Sequence, residues 1–177
     1  DLTPYYIFKE DIVFFHHNYK IICDEFDSKI YGEFKKKCDS YFWNYHRNEA
    51  RGVGGLFFDY LKENNKHSLI DWYNYVKKFG LTFLPTYLNI LLKRMNTNFN
   101  KNHKLWQEIR RGRYVEFNLV HDKGTLFGLK TGGRIESILM SLPPKVRWNY
   151  DFKPRPKSKE EELVKILKNP VDWVKIK

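Results

Sequence analysis

A chain of 177 residues that is 42% apolar and 18% aromatic can bury one sizeable core, and it is too aromatic for a disordered segment, because ordering the backbone has to be offset by apolar burial. Its formal net charge of +11 suggests an anionic partner, nucleic acid first, but many lysines are scattered or sit in the KPRPKSK segment, so most of the charge reads as compositional and solvated. No apolar run reaches the roughly 18 residues that cross a bilayer and no basic-then-apolar leader opens the chain, so one soluble domain over residues 1–177 without a membrane span is expected.

In chain order, Ile12, Phe15, Tyr19 and Ile22 recur at helical spacing behind Glu10 and Asp11, whose charges suit a helix N-terminus. A second helix is predicted from about Ile30 to about His46 on the stripe Tyr31, Phe34, Cys38, Tyr41 and Tyr45. The segment RGVGGLFFDYL then places three glycines in four positions before Leu56, Phe57 and Phe58, which predicts a glycine-permitted close approach leading into a buried strand. Ser68 with Asp71 resembles a capping box for a helix on Leu69, Trp72, Tyr73, Val76 and Phe79 that Gly80 ends. Pro85 is expected to open another helix, with Leu88, Leu91, Leu92 and Met95 on one side.

A polar loop, NTNFNKNHK, is expected to precede a short LWQEIRR helix. Val115, Phe117 and Leu119 alternate with Tyr114, Glu116 and Asn118, a period of two that predicts a strand. DKGTLFGLKTGGR reads as a glycine-rich connection, and periodicity leaves IESILMSLPP undecided between helix and strand. Ser158 and Glu161 form a second capping box, for a helix with Leu163, Val164 and Leu167 inward that Pro170 stops. Cys23 and Cys38 lack metal or redox spacing and read as reduced core thiols. Adjacent His16 and His17 diverge by about 100° on a helix, so no metal site is predicted.

Several segments together carry a resemblance: DLTPYY at Asp1, CDSYFWNYHRNEARGVGGLFFDYL from Cys38, LWQEIRRGRYVEFNLVHDKGTLFGL from Leu105, GRIESILMSLPP from Gly133, and NPVDWV near the end. In that order they resemble the C-terminal half of the oxygen-dependent coproporphyrinogen III oxidases of haem biosynthesis. The resemblance implies an α+β fold, a flat antiparallel β-sheet sandwiched between layers of α-helices, assembled as a homodimer. It also implies oxidative decarboxylation of the ring A and B propionates of coproporphyrinogen III to vinyls, giving protoporphyrinogen IX, with molecular oxygen as acceptor and neither metal nor organic cofactor. In the relatives an upstream half of comparable size supplies further site residues, so this chain is expected to hold about half of an active site.

By the same resemblance, Asp122 matches the aspartate that binds pyrrole N–H groups and helps deprotonate the reacting ring, and Asp1 matches a second pocket carboxylate. Arg134 matches an arginine that holds a propionate, with Gly132 and Gly133 bringing backbone N–H groups toward the same carboxylate. Such a site suits the ligand, since a guanidinium presents a two-pronged fork to a carboxylate and a carboxylate accepts pyrrole N–H bonds. Each residue also has a plain structural reading: Asp122 as a turn residue, Arg134 as a surface arginine, Asp1 as a chain end. Arg110, Arg111 and Arg113 divide between substrate contact and structural pairing with acids such as Glu116. His46 and Arg51 read first as structural, with substrate or dimer contact as the alternative. Lys123 stands where the family usually has arginine, which puts a two-pronged contact there in doubt, and His121 stands where tyrosine is frequent. A non-catalytic tetrapyrrole-binding or dimer-forming fragment and a basic nucleic-acid-binding module remain as rival readings. The cytoplasm is the default location, with plastid and mitochondrial intermembrane space as alternatives.

Overall fold

The computed structural model describes residues 1–176. Seven α-helices occur in this span: α1 Lys9–Phe26, α2 Ile30–Tyr41, α3 Leu69–Arg94, α4 Lys101–Val120, α5 Lys123–Lys130, α6 Ile135–Leu139 and α7 Lys159–Lys168. Among the described residues the sheet is a two-stranded antiparallel hairpin, β1 Trp43–Asn44 and β2 Glu49–Ala50, with Trp43 opposite Ala50 and Asn44 opposite Glu49. The architecture is therefore mostly helical, and compatible with an α+β fragment.

Two apolar clusters hold it together. In the first, Ile12 of α1, Trp106 and Ile109 of α4, and Leu163 and Leu167 of α7 close around Val53 and Trp173. The Trp173 indole N–H donates to the Val53 carbonyl at 2.9 Å, which fastens the NPVDWV segment to the glycine-rich turn. In the second, Ile22 and Cys23 of α1 meet Phe34 of α2 and Trp72 and Tyr75 of α3. Cys23 and Cys38 are fully buried free thiols, as their sequence context indicates, and burial pushes the Cys23 thiol up to about 11.

Several expectations are corrected. The helix at Leu69 does not end at Gly80: α3 runs unbroken to Arg94 with Pro85 inside it, so the separate helix opened by Pro85 does not exist. The reason is register, because Trp72, Tyr75, Phe79, Thr86 and Ile90 continue one face at spacings of three, four or seven residues across both helix breakers. That face, not Leu69, Tyr73 and Val76, turns inward; those three are exposed. The predicted strand at 114–119 is the last part of α4, which also absorbs the end of the predicted polar loop, from Lys101 to Lys104, and the short helix. Asn100 starts α4, its side chain accepting from the N–H groups of Asn102 and His103 while His103 Nδ1 accepts from the Asn100 N–H. A capped helix with i, i+3 pairing between Arg113 and Glu116 at 2.8 Å outweighs six residues of alternation.

Leu56–Phe58 is not strand but an extended segment, joined to α2 through Phe57 N–H to the Phe34 carbonyl at 3.1 Å and the 4.3 Å stack of Phe57 on Tyr41. The glycine-rich connection after Asp122 contains α5, and IESILMSLPP contains the short α6. Helix α2 stops at Tyr41, earlier than expected, where the chain turns into the hairpin. The Ser68 capping box forms in full. At α7, Ser158 accepts from Glu161 N–H at 3.2 Å, but the Glu161 carboxylate accepts from Lys157 N–H rather than closing the box.

Candidate functional site

The start of the chain is bound into the glycine-rich turn. Leu2 N–H donates to the Gly54 carbonyl at 2.9 Å, and Val53 N–H donates to the Leu2 carbonyl at 2.8 Å. The Asp1 carboxylate, only 1% exposed, accepts from Gly54 N–H at 3.0 Å and from Arg51 Nε at 3.1 Å. A Cβ on Gly52 would lie 2.3 Å from the Leu2 carbonyl oxygen and 2.5 Å from Asp1 Oδ1, and Gly54 has a φ of +90°. The turn thus needs glycine at both positions, one for space and one for backbone conformation. Arg51 is enclosed in turn: its guanidinium carbon lies 3.8 Å from the Phe42 ring centre and 5.1 Å from that of Phe117. Burial holds its pKa below the usual value, yet an arginine so placed stays charged.

Beside this seat opens a cavity of about 610 Å³, walled by the Asp1–Phe8 strap, by Ile12, Phe15 and Tyr19 of α1, by Phe79, Phe83, Tyr87 and Leu91 of α3, and by Arg94 and Arg111. Its walls are mainly aromatic and aliphatic, with cations at particular points, the arrangement expected of a small-molecule site. The two arginines differ. Arg94 is neutralised by Asp11, with Nε 2.5 Å from Oδ2, and by Glu10. Arg111 has no carboxylate partner among the described residues; its guanidinium rests 4.1 Å from the Tyr114 ring centre. Burial pushes the neighbouring Tyr5 phenol up, partly opposed by Arg111. The cavity can hold a flat apolar body and fix one of its carboxylates on a guanidinium fork.

The rest of the arginine cluster is structural. Arg110 pairs with Glu49 of β2 at 2.8 Å, both side chains 7% exposed. Arg113 pairs with Glu116 at 2.8 Å, and Glu116 also accepts from Arg47, from the Trp148 indole at 2.9 Å and from His46 Nε2 at 2.8 Å. Burial would raise the Glu116 pKa, but hydrogen bonds from Arg47 and His46 and the Arg113 charge outweigh it, and the carboxyl is held at about 2. His46 lies 3.1 Å from His121, Nδ1 to Nε2, with the rings stacked. His46, Arg113 and Arg51 are thereby accounted for by contacts within the chain.

Asp122 is the N-cap of α5, accepting from Thr125 N–H at 2.7 Å and Thr125 Oγ1 at 2.9 Å on one oxygen, and from the Tyr41 hydroxyl at 3.1 Å on the other. Lys123 is exposed in the first turn of that helix. Gly132 takes a φ of +70°, Gly133 N–H donates to the Gly128 carbonyl at 2.9 Å, and Arg134 is the exposed N-cap of α6. Asp122, Gly132, Gly133 and Arg134 are not among the residues lining the 610 Å³ cavity, whereas Asp1 is. Asp122 and Asp1 are nevertheless joined through one aromatic cluster, since Tyr41 packs on Phe42 and Phe117, the rings that hold Arg51. Sequence reasoning did not separate Arg111 from its neighbours. A helical reading would have done so, because Arg110 and Arg113 share a face at i, i+3 and Arg111 lies off it.

Comparison with known proteins supplies context for this geometry. Residues 1–173 match the family model described as Coproporphyrinogen III oxidase. The chain is 51% identical over 174 residues to the chloroplastic oxygen-dependent coproporphyrinogen-III oxidase of Hordeum vulgare, covering 98% of this chain and 44% of that protein. It is 50% identical over 175 residues to the oxygen-dependent coproporphyrinogen-III oxidase of Francisella philomiragia, covering 99% and 56%, and 49% identical over 175 residues to that of Drosophila melanogaster, covering 98% and 44%. The chain spans about half the length of the curated relatives it matches.

Proposed function

This chain belongs to the coproporphyrinogen III oxidase family, and from that premise we propose that it carries part of the site for oxygen-dependent oxidative decarboxylation of coproporphyrinogen III to protoporphyrinogen IX. The observation that carries the reading is the aromatic cavity with the unpaired Arg111 on its wall and the Asp1–Arg51 pair beside it. For each propionate the balance is a carboxylate arm plus O2 and a proton giving a vinyl group, CO2 and hydrogen peroxide. One C–H and one C–C bond break, the arm loses two electrons, and oxygen takes them up.

The residues have distinct tasks in this reading. Arg111 anchors a propionate and the rings of Tyr5, Phe15 and Phe83 flank the macrocycle. Asp122, whose side-chain oxygens keep lone pairs left over from its cap bonds, accepts pyrrole N–H groups and helps remove a ring proton, and Asp1 is a second acidic side chain held by Arg51. Arg134, exposed and free of side-chain hydrogen bonds among the described residues, meets a further propionate with the Gly132–Gly133 backbone. The reaction is proposed to need no metal or organic cofactor. The β1–β2 hairpin is proposed as part of the larger antiparallel sheet between helix layers, and a homodimer is supported by apolar side chains that α3 leaves exposed, among them Leu81, Leu84, Leu88 and Leu92. The cytoplasm is the proposed location; the Hordeum vulgare relative is named as chloroplastic.

The test is aerobic turnover of freshly reduced coproporphyrinogen III with a metal chelator present, products being separated by carboxylate number. Loss of two carboxylates is expected, and abolition of turnover by Asp122→Ala; near-normal turnover by that variant removes Asp122 from the mechanism. A second reading, tetrapyrrole binding without turnover, is favoured by the position of Asp122 and Arg134 outside the lining of the cavity that holds Arg111, and binding of the substrate without product would establish it. Nucleic acid is not a proposed partner.

A further inference from the structure

A second cavity, of about 480 Å³, adjoins the first and shares Tyr5, Tyr6, Phe8 and Arg94 with it. The strap is fixed at two points: the Trp106 indole N–H donates to the Tyr5 carbonyl at 2.6 Å, and the Tyr6 hydroxyl donates to Glu160 at 2.7 Å. The outer wall of the second cavity is Phe99, His103, Lys104, Gln107 and Lys159, and no aspartate or glutamate lines it. Lys104 donates to the neutral Gln107 side chain at 2.9 Å and lies 5.6 Å from the Phe99 ring centre. Neither Lys104 nor Lys159 has a carboxylate partner among the described residues, although most cations of this chain that line its core or its first cavity do.

The rings of Tyr5, Tyr6, Phe8 and Phe99 with two ammonium groups that lack a carboxylate partner among the described residues, and with the nearby Glu160 carboxylate taken up by the Tyr6 hydroxyl, match a ligand that is apolar in body and carboxylated at its edge. We propose that this second cavity is a carboxylate subsite, in which Lys104 and Lys159 hold propionates on one edge of a tetrapyrrole whose opposite edge is anchored by Arg111 in the first cavity. The inference rests on the tetrapyrrole reading of the first cavity and extends it. A ligand with four carboxylates needs more cations than the single free guanidinium found there, and the shared strap makes the two spaces adjacent rather than separate sites.

The test is fluorescence titration of the chain with coproporphyrin III, which has four carboxylates, and with mesoporphyrin IX, which has two. Both lysines are exposed and stand in the first turns of α4 and α7, where acidic replacements suit the helix dipole, so the Lys104→Glu, Lys159→Glu double variant retains its fold. The expected result is one coproporphyrin per chain, with affinity reduced about tenfold in that variant and the preference for four carboxylates over two diminished. Unchanged affinity in the lysine variant, together with weakened binding by Arg111→Gln, overturns the inference and leaves the first cavity as a tetrapyrrole site. Two porphyrins per chain, with only the second sensitive to the lysines, also overturns it, because the second cavity then takes a separate molecule. Absence of porphyrin binding by the unaltered chain overturns both readings.

Discussion

At the scale of single residues, the seat of Asp1 concentrates several constraints at one point: two backbone hydrogen bonds, an ion pair and two glycine positions. Its carboxylate is sealed from water, and its charge is balanced by Arg51, itself enclosed by aromatic rings. Arg51→Met keeps the apolar packing but leaves a buried carboxylate unpaired, a change that costs about 3 kcal/mol or more; a lower urea midpoint with unaltered m-value is the expected readout. His16, 1% exposed, is another charge-sensitive buried group. A carbonyl can only accept, so Nε2 carries the proton and donates to Val53 at 3.2 Å, and Nδ1 accepts from the Tyr31 hydroxyl at 2.9 Å. Burial first, then the Lys35 charge, depress its pKa to about 3, against roughly 6.5 in an unfolded chain. Between those values the unfolded state takes up a proton that the native state refuses. The stability contributed by neutral His16 is therefore complete above about pH 6.5 and declines as pH falls toward 3, by about 1.4 kcal/mol per pH unit at the steepest. Urea midpoints between pH 7.5 and 5 should show this slope, and His16→Asn should flatten it.

At the scale of elements, what was legible in the sequence was local chemistry, and what was not was continuity. The Ser68–Asp71 capping box, the acidic first turn of α1 and the Pro170 stop are each written in a few adjacent residues, and each appears in the structure. Gly80 and Pro85 are also conspicuous in the sequence, but their cost of about 1 and about 3 kcal/mol is outweighed by the Trp72–Tyr75–Phe79–Thr86 face, which only a single long helix can bury on α1 and α2. The alternation at 114–119 misled for the same reason: six residues fit both periods, and the Asn100 cap with the i, i+3 ion pair decided between them. Gly80 itself supports a prediction. It sits inside α3 with nothing within 4 Å of an added Cβ, so Gly80→Ala should stabilise the fold by about 1 kcal/mol, read as a raised urea midpoint with unchanged ligand binding.

At the scale of the whole molecule, the segment order that carries the family resemblance was readable, but the cavity was not, because its walls come from the strap, α1, α3 and α4, which only tertiary packing brings together. The RRGR cluster shows the consequence. As α4 crosses between the β-hairpin and the strap, one face of the helix presents Arg110 and Arg113 to Glu49 and Glu116, and the adjoining face presents Arg111 to the cavity. Neighbouring residues of identical chemistry therefore divide between holding the fold and holding a ligand, and two substitutions separate those roles. Arg110→Gln leaves Glu49 buried without its partner at 2.8 Å and should lower stability by about 3 kcal/mol or more. Arg111→Gln removes no ion pair and should change stability by less than about 0.5 kcal/mol, while weakening coproporphyrin binding by roughly tenfold through loss of a charged two-pronged contact. Urea denaturation and porphyrin titration on the same pair of variants check both halves. If Arg111→Gln instead lowers stability as much as Arg110→Gln and spares binding, the cavity loses its anchor and the division of the cluster fails.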